Sequence, residues 1–116
     1  MPRFAVLEHA WNGVHWDLML QKDDILKTWE LASPPVSGSP MNAIAKPDHR
    51  LLYLDYEGEI SGGRGCVKRW DAGDLQWRTM EADNMIAQIY GQRLRGALTL
   101  SQQNDGHWQF MIVEPS

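Results

Sequence analysis

FAVLEHAWNGVHWDLML, residues 4–20, is the stretch whose reading decides the fold. Its second half alternates strictly. Val14, Trp16, Leu18 and Leu20 are apolar, and His15 and Asp17 stand between them. A period of two is the signature of a strand with one face on a core, so the apolar set is expected inside. Trp11-Asn12-Gly13 interrupts the apolar run, and a hairpin there joins a first strand at about 3–9 to a second at about 14–21. Working outward, further strands are read at about 25–32, 51–56, 65–71, 75–80, 85–90, 94–101 and 107–113. Turns are expected at Asp23-Asp24, at Asp71-Ala72-Gly73-Asp74 and at Asn104-Asp105-Gly106. Residues 80–90 also fit one short helix, since Met80, Ala82, Met85, Ile86 and Ile89 follow a loose 3.6-residue period. Residues 33–48, SPPVSGSPMNAIAKPD, carry four prolines and read as one long loop of the kind that borders a site. Many short strands at this spacing predict a mainly β protein, a small antiparallel β-barrel with at most one or two short helices.

Length and composition agree. The 116 residues suit a single domain, 1–116, and a chain of this size buries roughly two thirds of its unfolded surface. Apolar residues at 43% and charged residues at 22% exclude the disordered class. Six tryptophans, spread along the chain inside short apolar stretches, suit the core of a small β protein. Cys66 is the single cysteine, which excludes an internal disulfide framework and a Cys/His finger; it is read as a small buried hydrophobe. The opening Met1-Pro2-Arg3-Phe4 carries no signal-peptide pattern and no run is long and apolar enough for a membrane span, so a soluble, cytoplasmic protein is expected. Eleven Lys+Arg against fifteen Asp+Glu give a formal charge of −4. That argues against a large non-specific duplex binder and leaves room for a small site that grips one end of a nucleic acid.

Two clusters can carry chemistry. His15 and Asp17 leave the same strand face, and the hairpin brings His9 across to them. Two imidazoles and a carboxylate make a three-ligand set for Mn²⁺ or Zn²⁺ with positions left for water or substrate. Taken by itself, the same spacing more often describes an exposed His9 at a strand end beside a surface His15–Asp17 hydrogen-bonding pair. In DHRLLYLDYEG, residues 48–58, an extended chain puts His49 and Tyr53 on one face, where both can donate to a phosphate oxygen. A strand with a core tyrosine and a solvent-tipped histidine is the alternative. The glycine run from Gly58 to Gly65 lacks the Gly-Lys-Ser/Thr ending of a phosphate loop and reads as a strand-to-strand turn. His107 beside Trp108 reads as structural. Arg93 and Arg95 read as a solvated face, with a backbone-phosphate contact as the other option.

Taken together these segments resemble the 3′-phosphoesterase module of the bacterial DNA ligase D proteins and its stand-alone relatives, from about Phe4 to Val113. The opening stretch is similar to that family's Phe-x-Val-x-x-His-x5-His-(Trp/Tyr)-Asp-x-Arg-Leu signature. ILKTWEL, DHRLLYLDYEG, RWDAG, YGQRLRGALTL and WQFMIVE follow in the family's order. The resemblance implies a small β-barrel with a crescent-shaped site and metal-dependent removal of 3′-phosphate or 3′-ribonucleotide groups from DNA ends, beside a separate ligase and polymerase. It implies His9, His15 and Asp17 as manganese ligands, with Zn²⁺ or another divalent ion as substitutes. It implies His49 and Tyr53 as the catalytic pair near the phosphate. The family's two phosphate-gripping arginines fall on Met19 and Met41 here, which leaves Arg50 and Arg64, with Lys46, as the cations to supply that grip. A relative without those arginines can also be non-catalytic, holding metal and binding a nucleic-acid end or a protein partner.

Overall fold

The computed structural model describes residues 1–114. Nine strands follow one another: β1 (Arg3–Ala10), β2 (Val14–Lys22), β3 (Ile25–Leu31), β4 (Met41–Arg50), β5 (Gly58–Glu59), β6 (Cys66–Glu81), β7 (Asn84–Gly91), β8 (Arg95–Gln102) and β9 (Trp108–Val113). Every pairing is antiparallel, in the order β1-β2-β3-β4-β9-β8-β7-β6-β5, and β1 also pairs with β6. That last pairing closes eight strands into a ring with β5 attached outside it. The expected small β-barrel is what the chain forms. Its one helical piece among the described residues is a 3₁₀ turn, Leu51–Leu54.

The barrel interior collects one residue in two from each strand. Phe4 and Val6, Leu18 and Leu20, Trp29 and Leu31, Met85, Ala87 and Ile89, Leu98 and Leu100, and Phe110 and Ile112 share one core. A large apolar side chain buried in this way contributes roughly 1.5–3 kcal/mol, and this is the main force holding the ring closed. On β1, however, the run Phe4-Ala5-Val6-Leu7 is wholly buried on both faces. The outward set, Ala5 and Leu7, joins Met19, Leu26, Leu54 and Val67 in a second cluster, against which Leu51, Tyr53, Tyr56 and Ile60 pack. The sheet made by β1, β2 and β3 is therefore covered twice: by the barrel core inside and by the segment following β4 outside.

Several expectations are corrected. Residues 33–48 are not one loop: β4 begins at Met41, and only the stretch before it is irregular. The region expected as a strand at 51–56 holds the 3₁₀ turn instead. The Asp71–Asp74 turn does not exist, because these residues lie inside the 16-residue β6, which pairs with β1 and then with β7. The short helix over 80–90 is also absent; β6 and β7 meet there in a hairpin. Val14, expected in the core, is 51% exposed because β2 runs past the barrel at its start. Cys66, expected buried, is exposed at the start of β6. The turns at Asp23-Asp24 and Asn104-Asp105-Gly106 are as expected.

Candidate metal centre and cleft

The outward face of the β1–β2–β3 sheet changes character along its length. At one end stand Ala5, Leu7, Met19 and Leu26, all buried and apolar. At the other end stand His9, His15, Asp17 and Glu30. The register explains the grouping: His9 lies opposite His15, Leu7 opposite Asp17, and Asp17 opposite Glu30. Cross-strand partners of this kind have Cβ atoms roughly 5 Å apart, so the polar side chains meet.

They meet closely. His9 Nδ1 is 3.1 Å from His15 Nε2, Asp17 Oδ1 is 3.2 Å from His15 Nε2, and Asp17 Oδ2 is 3.5 Å from His9 Nδ1. One donor atom from each of the three residues fits within a mutual distance of 4.8 Å. On the far side of its ring His9 Nε2 lies 2.7 Å from the Arg64 carbonyl. A carbonyl only accepts, so Nε2 carries the proton and Nδ1 of the neutral ring keeps its lone pair facing the cluster. This is the arrangement in which a backbone carbonyl fixes the tautomer of a metal-binding histidine. With His15 in the tautomer that leaves its Nε2 bare, the three residues would offer one ion three donor atoms whose separations match the edges of a coordination shell with bonds about 2.0–2.3 Å long. The set suits Mn²⁺ or Zn²⁺. Burial holds the Asp17 carboxyl above its usual range; His15, His9 and His49 pull it back, and Glu30 pushes it further up. That is the electrostatics of a buried carboxylate in need of a cation.

A cleft of about 550 Å³ opens over this cluster. Its wall includes His49, Arg50 and Tyr53 from the end of β4 and the 3₁₀ turn, Lys46 from β4, and Arg64 from the loop before β6. His49 Nδ1–H donates to the Pro47 carbonyl at 2.9 Å, which leaves Nε2 free. The Tyr53 ring meets His49 edge-on at 5.5 Å and Tyr56 at 5.8 Å. So the two residues expected on one extended strand do share a surface, although a 3₁₀ turn rather than strand alternation brings them together. Arg64 Nε donates to the Ser61 carbonyl at 2.8 Å. Neither Arg50 nor Arg64 forms an ion pair with a carboxylate among the described residues. Lys46 lies 3.5 Å from Glu30.

Met19 lies on the cleft wall as strand alternation requires, and it is 1% exposed within the apolar cluster. Met41 does not reach the cleft. It is half-buried against the barrel core, opposite Phe110. Arg93 stacks over Trp70 at 4.7 Å, and exposed His107 pairs with Asp105 at 3.0 Å, so neither belongs to the cleft. Sequence reading missed Glu30, whose carboxylate oxygen is 3.8 Å from His15 Nε2. The signal was there: Glu30 sits two residues after buried Thr28 on a strand that pairs with β2.

Comparison with known proteins agrees with this geometry. The family model described as the DNA ligase D 3′-phosphoesterase domain matches residues 7–102. The multifunctional non-homologous end joining protein LigD of Mycobacterium bovis is 29% identical over 114 residues, covering 90% of this chain and 15% of that protein. Its namesake in Pseudomonas aeruginosa is 30% identical over 112 residues, covering 88% of this chain and 13% of that protein. In Mycolicibacterium smegmatis the figures are 25% over 122 residues, 91% and 16%. The chain thus spans only about a seventh of the length of these relatives. With the matched region covering most of the barrel and all of the cleft's polar residues, the chain belongs to the DNA ligase D 3′-phosphoesterase domain family.

Proposed function

We propose that this chain is a metal-dependent 3′-phosphoesterase that trims 3′-phosphate or 3′-ribonucleotide groups from DNA ends. The observation that carries the reading is the convergence of His9 Nδ1, His15 Nε2 and the Asp17 carboxylate beneath a cleft lined by Arg50, Arg64 and Lys46 together with Glu30 and Asp48. The reading includes a DNA 3′ end as partner, a separate ligase and polymerase that use the resulting 3′-OH, and a cytoplasmic setting.

His9, His15 and Asp17 are the ligands for Mn²⁺, with Zn²⁺ or another divalent ion as substitutes. When bound, such an ion supplies Lewis acidity toward a phosphoryl oxygen and acidifies a water. The chain's own groups do the rest. The Arg64 carbonyl keeps His9 in the tautomer that offers Nδ1. His49, oriented by its Nδ1–H bond to Pro47, holds a proton at Nε2 when charged and delivers it to the leaving oxygen as general acid. The Tyr53 hydroxyl positions the phosphate. Arg50 and Arg64 supply charge-assisted hydrogen bonds to its non-bridging oxygens, where charge accumulates in phosphoryl transfer.

One observation favours a second reading, a non-catalytic relative that holds metal and binds a nucleic-acid end or a protein partner. Met19 occupies an apolar, 1% exposed position beside Asp17 and offers a phosphate no charge. The two readings separate in one assay on an oligonucleotide ending in a 3′-phosphate. The catalytic reading expects Mn²⁺-dependent release of phosphate, abolished by EDTA and by His15→Ala, and cut roughly 10²-fold or more by Arg50→Ala or Arg64→Ala. Mn²⁺ binding with no turnover on any 3′ end leaves the second reading. Turnover that persists in EDTA overturns the metal mechanism of the first reading, and any turnover at all overturns the second.

A further inference from the structure

Of the six tryptophans, five are buried or half-buried and pack in the protein; Trp11 alone is exposed, at 43%. It belongs to neither of the two apolar clusters. It sits in the β1–β2 turn, where its backbone N–H donates to the Gly13 carbonyl at 2.9 Å. Its ring forms part of the cleft wall and lies nearly parallel to that of His9, 23° apart with centroids 6.0 Å apart. Trp11 thus presents a large flat apolar ring to solvent within the cleft wall, one ring away from the polar cluster. Bases stack on aromatic side chains with little dependence on sequence, because every base has a π-face.

We infer that Trp11 is the platform on which the terminal base of a nucleic-acid 3′ end stacks while its phosphate lies over His9, His15 and Asp17. The inference rests on the 3′-end reading above and adds a recognition element to it. Trp11 makes the cleft specific for a phosphate that belongs to a base-bearing nucleotide, and indifferent to which base it is.

The test compares wild type, Trp11→Ala and Trp11→Phe on two oligonucleotides that end in a 3′-phosphate, one with a normal and one with an abasic terminal nucleotide. Binding is read by tryptophan fluorescence and by anisotropy of a 5′ label with Ca²⁺ in place of Mn²⁺, and turnover is read separately with Mn²⁺. Trp11→Ala is expected to weaken binding of the normal end roughly 5- to 100-fold and that of the abasic end less than 2-fold. Trp11→Phe should retain most of the affinity. Thermal melting should change little, because the side chain is exposed. Equal losses on both ends, or no loss on either, overturn stacking while leaving the 3′-end reading intact. A normal effect of Trp11→Ala on binding with no turnover by wild type overturns the enzymatic reading and keeps the platform. Failure of wild type to bind either oligonucleotide overturns both.

Discussion

At the scale of single residues, Asp71 does work that no motif announces. It is 3% exposed, and its carboxylate accepts backbone N–H bonds from Ala72, Gln92, Arg93 and Leu94 at 2.8–3.2 Å. It thereby satisfies the amides of the β7–β8 turn and ties that turn to β6. The approach is so close that a Cβ on Gly91 would run into the Asp71 carboxylate and the Phe4 ring. Asp71→Asn replaces one accepting oxygen by an NH₂ that faces donors. Hydrogen bonds to a charged acceptor are worth about 1.5–3 kcal/mol each, and buried amides are left unpaired, so a loss of about 3 kcal/mol is expected in urea denaturation. An unchanged midpoint would mean water satisfies the turn. His15 and Asp17 were legible because strand alternation is a local signal. Asp71 read only as a turn residue, because three of its four partners are amides more than twenty positions away that leave no trace in side-chain identity.

At the scale of elements, the chain's pattern of twos gave away β1, β2, β3 and the β7–β9 meander, where alternate residues enter one core. It failed where an element has two neighbours in succession. β6 contains Asp71-Ala72-Gly73-Asp74, which looks like a turn, yet Gly73 pairs with Phe4 on one side and Gly91 on the other. β4 was hidden by its own Pro47, by the three prolines before it and by its exposure, since only Ala43 along it is buried. The loop before β6 matters for the site in the same non-local way. Gly65 adopts φ +76°, and a Cβ there would overlap the Ala10 carbonyl. Gly65→Ala must therefore push the loop away from β1 and take the Arg64 carbonyl from His9 Nε2. Loss of such an outer partner typically costs 10- to 100-fold in metal affinity. Calorimetric titration with Mn²⁺ should show a drop of that order, together with a stability loss of about 1–3 kcal/mol from the strained φ. Full affinity in a folded Gly65→Ala protein would show that the carbonyl does not set the His9 tautomer.

For the molecule as a whole, the barrel and the cleft have opposed demands, and they divide along the β1–β2–β3 sheet. Its inner face builds the core, and its outer face holds a buried carboxylate whose own protonation is disturbed. Without a bound cation, Asp17 is an expense to the fold. Its folded-state pKa lies above the unfolded value, chiefly through burial. Between the ordinary carboxylate value near 3.9 and that raised value, the folded chain holds a proton that the unfolded chain has released. Linkage then makes metal-free stability fall as pH rises through this window and leaves the penalty in place at neutral pH. Asp17→Asn removes the charge while nearly keeping the shape, so metal-free Asp17→Asn should melt higher than wild type at pH 7, and the difference should shrink as pH drops toward 4. A cation reverses the order. Mn²⁺ at about 100 times its Kd adds about 2.7 kcal/mol, roughly 10 °C for a domain of this size, and Asp17→Asn should lose most of that gain. Melting curves of both proteins at pH 4 and 7, with EDTA or Mn²⁺, check the sign at each corner. If Asp17→Asn is the less stable protein in EDTA at pH 7, the carboxylate is already satisfied by its histidines, and the cluster is a structural ion pair rather than a site that waits for a metal.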